Sequence, residues 1–170
     1  MVLEFILTTL SVIVSFLLQT SIFPAILPIH VLPNLLIIIT ASNGFMKDEN
    51  VGMIVGFFCG LFFDVFFGEV IGFYALLYTY IGFLNGKFSR VFYPEDVKLP
   101  LALITFSDLT CSLVSYVFLF LIWGRVDFAY YLLHVILPEM VVTLIATLVF
   151  YPVILKINEW LRIRRRKKEY

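Results

Sequence analysis

Residues 51–86, VGMIVGFFCGLFFDVFFGEVIGFYALLYTYIGFLNG, decide how the rest of the chain is read. Two apolar runs meet there at Gly68 and Glu69. The first carries Gly52, Gly56, Gly60 and Asp64 at intervals of four, and the second carries Gly72, Ala75, Thr79, Gly82 and Gly86 at helical intervals. On a helix such spacing gathers residues on one slowly drifting face. Small faces let backbones approach closely in lipid, where no hydrophobic force drives helices together. The stretch therefore predicts a tightly packed transmembrane hairpin with spans over 51–67 and 70–86. Gly52, Gly56, Gly60, Asp64, Gly72, Gly82 and Gly86 are its candidate helix-packing or partner-interface residues. A carboxylate inside a span costs about 2.5–3.5 kcal/mol on insertion scales. Asp64 is therefore expected to face protein rather than lipid, in a structural or interfacial role rather than a catalytic one. Glu69, at the turn itself, reads as readily as a solvated residue as a functional one.

The composition agrees with a membrane setting. Of 170 residues, 62% are hydrophobic and 18% aromatic, with a mean hydropathy of +1.03, which places the chain outside the soluble globular class. A crossing takes about 20 apolar residues, which leaves room for about six spans and for no soluble domain. The expected fold is an all-α integral membrane protein: a six-span bundle over 1–155 and a basic amphipathic tail over 156–170. Net charge is zero, but the cations are unevenly placed. Lys156, Arg162, Arg164, Arg165, Arg166, Lys167 and Lys168 crowd the C-terminus, and Lys47, Lys87, Arg90 and Lys98 fall in alternate loops. The positive-inside rule puts all of these, and both termini, on the cytoplasmic side of the membrane, leaving Arg125 for the other face. The start, MVLEFILTTL, lacks the basic opening and cleavage site of a secretory signal and is expected to be a retained first span.

Outward from the hairpin, a first span is expected over 5–23. An irregular outer cap should follow, because Pro24, Pro28 and Pro33 cannot donate to a helix ladder. The second span, 33–45, covers only about 20 Å. It must be short, supplemented by that cap, or sheltered by its neighbours. The fifth span, 99–123, carries Thr105, Asp108, Ser112 and Ser115 as a polar stripe. The sixth, from about 131, carries Pro138, Glu139, Thr143 and Thr147. Asp64, Asp108, Ser112, Glu139 and Thr143 make up a candidate intramembrane polar network. It serves either hydrogen bonding between neighbouring helices or a path for a solute or ion. After Pro152 the apolar residues alternate with charge, as in a helix leaving the bilayer along its surface, with Trp160 in the interfacial belt. Such a tail anchors on anionic lipid or docks a cytoplasmic protein.

No nucleophile motif, phosphate loop or metal-binding helix signature occurs, and the expectation is a non-enzyme with no cofactor, no metal and no nucleic-acid partner. His30 and His134 have no serine or cysteine at a catalytic spacing. Cys59 and Cys111 lie inside apolar runs and read as small packing residues.

Several of these stretches resemble a known family. Pro33-Asn34-Leu35-Leu36, the run from Gly56 to Asp64, Gly68, Gly72-Phe73-Tyr74-Ala75-Leu76, and Pro138-Glu139 ahead of a basic tail are similar to MreD, the small multi-span component of the bacterial rod-shape (elongasome) system. One departure stands out: Thr143 occupies a position, one helical turn after the acid of the last span, where the family pattern often has asparagine. The resemblance implies a scaffold that binds the single-span protein MreC. Through it the chain would meet MreB, RodA and a class B penicillin-binding protein; homodimerisation stays open. A different reading follows from six short spans and a broken outer loop, which also resemble the substrate-binding components of energy-coupling vitamin transporters. Asp64, Glu69, Arg125, Asp127 and His134 would then line an outer pocket.

Overall fold

The computed structural model describes residues 2–26, 31–68, 70–89, 98–121 and 128–166. The expectations for Pro28, His30, Glu69, Arg90, Arg125, Asp127, Lys167 and Lys168 lie outside them. Among the described residues all regular structure is helical, in six helices. α1 runs from Val2–Leu17 through a π-helical stretch, Leu18–Ile22, to Phe23–Ile26. α2 is Leu35–Met46, α3 is Glu49–Phe67 and α4 is Phe73–Phe88. α5 spans Lys98–Ser115 and continues as π-helix over Tyr116–Leu121. α6 opens at Phe128–Tyr131, passes through a π-helical Leu132–Ile136 and continues as Leu137–Arg166. Four stretches, Leu3–Ile26, Glu49–Phe67, Lys98–Phe118 and Phe128–Arg164, are long and apolar enough to cross a membrane, whereas α2 and α4 are shorter.

Two of the π-helical stretches have a common cause in the sequence. The Phe23 N–H donates to the Leu18 carbonyl and the Leu137 N–H to the Leu132 carbonyl, each one residue before a proline, Pro24 or Pro138. Proline has no N–H and crowds the preceding turn, so a widened turn at that point lets the helix continue past it. α1 accordingly extends to Ile26, where the proline count in the sequence suggests an irregular cap from residue 24. α6 likewise runs through Pro152 unbroken to Arg166. Its late part is held to the bundle: Leu161 is buried, and the Asn158 Nδ2 donates to the Met46 Sδ at 3.2 Å.

The shortest helix is the hub. Every residue of α2 from Leu35 to Phe45 is buried, and α2 touches each of the other five helices. A helix apolar on all sides belongs in an interior. Its 12 residues span about 18 Å, well short of a hydrocarbon core of about 30 Å, and its neighbours keep its ends from lipid. The run Ile37-Ile38-Ile39-Thr40 has modest helix propensity, so packing rather than propensity holds it.

The N-terminus of α2 is buried, so its free N–H groups need partners. Leu35 N–H donates to the Pro33 carbonyl at 3.1 Å, Leu36 N–H to the Gln19 Oε1 at 3.3 Å and Ile37 N–H to the Asn34 Oδ1 at 3.3 Å. The opposite end meets the start of α1, where the Lys47 Nζ donates to the Thr8 Oγ1 at 2.8 Å.

α3 and α4 form the hairpin, and their glycines face each other. A Cβ on Gly52 would strike the Gly82 carbonyl, one on Gly82 the Gly52 carbonyl, one on Gly56 that of Tyr78 and one on Gly60 that of Tyr74. Gly86 lies against the backbone of Glu49. Gly44 of α2 closes the group, its Cβ position 2.6 Å from the Gly82 carbonyl oxygen, so three backbones converge there.

Candidate functional site

Two buried aspartates mark the places where polar chemistry lies inside this apolar body. Asp64 sits in the last turn of α3, 1% exposed, and its carboxylate points across the turn at the start of α4. The Oδ2 accepts from the Gly72 and Ala75 N–H groups and the Oδ1 from the Tyr74 N–H, each at 2.9 Å. An anion at a helix N-terminus meets both unpaired N–H donors and the positive end of the helix dipole. Asp64 is thus a cap delivered from the neighbouring helix. Glycines shape the turn around it: Gly68 packs against the Asp64 backbone, and its N–H donates to the Asp64 carbonyl at 3.0 Å. Gly72 differs from the packing glycines. Nothing lies within 4 Å of its Cβ position, and its φ of +99° is what calls for glycine.

Asp108, near the middle of α5, is also 1% exposed, but it has other company. The side chains of Thr143 on α6 and Asn34 at the head of α2 lie against its carboxyl. Glu139, one turn before Thr143, is close enough to interact with it electrostatically. Glu139 accepts through its Oε2 from the Ser112 Oγ at 3.4 Å. Asn34 ties these groups to the core: its N–H donates to the Thr143 Oγ1 at 3.1 Å, and its Oδ1 accepts from the Tyr78 hydroxyl at 3.1 Å. The Thr143 carbonyl in turn accepts from the Thr147 Oγ1 at 2.7 Å. The Thr143 hydroxyl thus accepts a hydrogen bond from the α2 cap.

Of the five polar residues grouped from the sequence, the structure gathers Asp108, Ser112, Glu139 and Thr143 between α5 and α6. It engages Asp64 elsewhere, because α4 takes up both of that carboxylate's oxygens. Asn34 and Tyr78 complete the cluster and were not singled out for it. Asn34 carried a readable signal, a capping residue between proline and a long apolar run. Tyr78 carried none, since an aromatic in a span looks like any other. A further polar tie joins α4 to α5, where the Asn85 Nδ2 donates to the Ser107 Oγ at 2.9 Å. The outer pocket of the transporter reading would need Asp64 and His134 to share a cavity. Asp64 is buried under α4, while His134 is on the exposed face of α6, stacked on Tyr130.

Among the described residues, no three histidine, cysteine or acidic side chains converge as metal ligands, and both cysteines are free and buried. The class defined by this arrangement is a polytopic helical membrane protein whose polar groups bind its own helices together. A profile of the rod shape-determining protein MreD matches residues 1–159, and the chain belongs to that family. The family consists of shape-determining membrane proteins rather than known enzymes. No curated protein and no solved structure matches the chain.

Proposed function

We propose that the chain is a non-enzymatic scaffold of the rod-shape complex in the bacterial cytoplasmic membrane. It holds an MreC-like single-span protein and, through it, meets MreB, RodA and a class B penicillin-binding protein. The family match over 1–159 carries this reading. The physical organisation supports it: small and polar residues are turned inward, while the outer faces present side chains such as Ile54, Phe57, Phe58 and Val65, suited to lipid or another helix. In this reading Gly52, Gly56, Gly60, Gly82 and Gly86 serve the hairpin itself, and the partner binds a different surface. Both termini lie on the cytoplasmic side, a placement supported by the positive-inside count.

Gentle extraction from the native membrane, followed by identification of what copurifies, tests the proposal. A single-span protein with a large outer domain is the expected companion. Recovery of an ATPase module with its coupling subunit would replace the scaffold with a transporter component.

A further inference from the structure

Among the described residues the α5–α6 cluster contains two acids and no base. Asp108 is almost wholly buried, and its Oδ1 has no hydrogen-bond partner. An ionised carboxylate can only accept, so an oxygen left dry and unpaired carries its whole desolvation penalty. The groups facing the two acids are Asn34 from α2, Tyr74 and Tyr78 from α4, Cys111 and Ser112 from α5, and Tyr131 and Thr143 from α6. Among the described residues neither carboxyl has a lysine or arginine partner. Proteins that keep carboxylates within a bilayer give them a compensating charge or a role in moving one.

We propose that the Asp108 Oδ1 and Glu139 together hold one exchangeable monovalent cation, with the Ser112 and Thr143 hydroxyls as further oxygen donors. All four are hard oxygen groups, which suit a proton or a sodium ion alike. Divalent ions of the same class take six or more oxygen ligands or keep a water shell, and no third acid or histidine joins this pair among the described residues. The site bridges α5 and α6 beside the head of α2, so an occupant ties together the three helices that meet there. This inference concerns a ligand of the bundle and stands whether or not the scaffold reading holds.

The test uses the full-length protein in lipid nanodiscs and reads thermal unfolding in two arms. One compares sodium chloride with N-methylglucamine chloride at fixed pH and ionic strength; the other varies pH without sodium. A saturable rise in Tm of roughly 5–10 °C is expected in one arm when the ion is far above its Kd. A rise with sodium identifies an alkali ion. A response confined to the second arm, with stability lost as pH rises, identifies a proton. Asp108→Asn and Glu139→Gln should each abolish the response. Flat Tm values in both arms, or a response unchanged in both variants, would overturn the proposal. Should neither variant fold, carbodiimide labelling of the unaltered protein, mapped by mass spectrometry, decides it. Labelling of Asp108 or Glu139 that slows as sodium is raised at fixed pH supports an alkali-ion site. Labelling that speeds as pH falls supports a proton, because carbodiimide attacks the protonated carboxyl, and labelling indifferent to both sinks the idea.

Discussion

Asp64 and Asp108 are equally buried, yet one is satisfied by backbone and the other faces side chains alone. Three N–H groups at the start of α4, those of Gly72, Tyr74 and Ala75, converge on Asp64, so its carboxyl oxygens complete a helix end. Asp108 has Thr143, Asn34 and Glu139 for neighbours and keeps one oxygen without a partner. The difference separates two uses of a buried acid. A carboxylate that completes a helix terminus belongs to the architecture; one left incomplete in a polar cluster has capacity for something more. Each region responds differently to substitution, and that response is where the comparison can be broken.

The largest effect is expected in the hairpin that Asp64 closes. Gly82→Leu drives a side chain into the Gly52 carbonyl of α3, and neither backbone can yield without moving α2 as well. A loss of about 3 kcal/mol or more is expected, since overpacking costs 1–3 kcal/mol even where side chains can move aside. Monodisperse yield after extraction, and Tm, are the readouts. Wild-type behaviour would mean that the helices are not this close. Asp64→Ala should follow at about 3 kcal/mol, because it leaves three N–H groups inside the protein without their acceptor. Asp64→Asn should recover part of that loss, as one amide oxygen can still accept. Equal Tm values for the alanine variant and the wild type would remove Asp64 from the architecture.

A smaller effect is expected where the two regions meet α2. Thr143→Val removes the acceptor of the Asn34 N–H and should cost about 1 kcal/mol, with Thr143→Ser close to wild type. If valine and serine behaved alike in thermal unfolding, the link between α6 and the α2 cap would be incidental.

How far these two regions could be read from sequence follows from what each depends on. The hairpin was legible because a four-residue glycine spacing is a local pattern with one geometric meaning on a helix. Gly72 was the exception, since a turn glycine and a packing glycine are the same letter. Placing Asp64 with Asp108 went astray because period alone says that a carboxylate lies within a span, not which neighbour turns N–H groups toward it. α2 was legible as too short to cross, but not as the hub, because its burial depends on how five other helices are arranged around it. Pro24 suggested an end to α1, whereas a π-turn carried the helix onward, a backbone adjustment that no residue type announces.

The smallest expected change, and the most informative, is that of Asp108→Asn. The amide keeps the shape, offers a donor that a carboxylate lacks, and removes the cost of holding a charge away from water. In the absence of sodium its stability should therefore stay within about 1 kcal/mol of wild type, or rise, in contrast to the loss at Asp64. Measured in the same buffer, Asp64→Asn and Asp108→Asn should then differ in sign or in size by about 1 kcal/mol or more. Were the two asparagine variants equally destabilised, Asp108 would have to be as firmly bonded as Asp64, and the unpartnered oxygen that sets it apart would have a partner in the membrane.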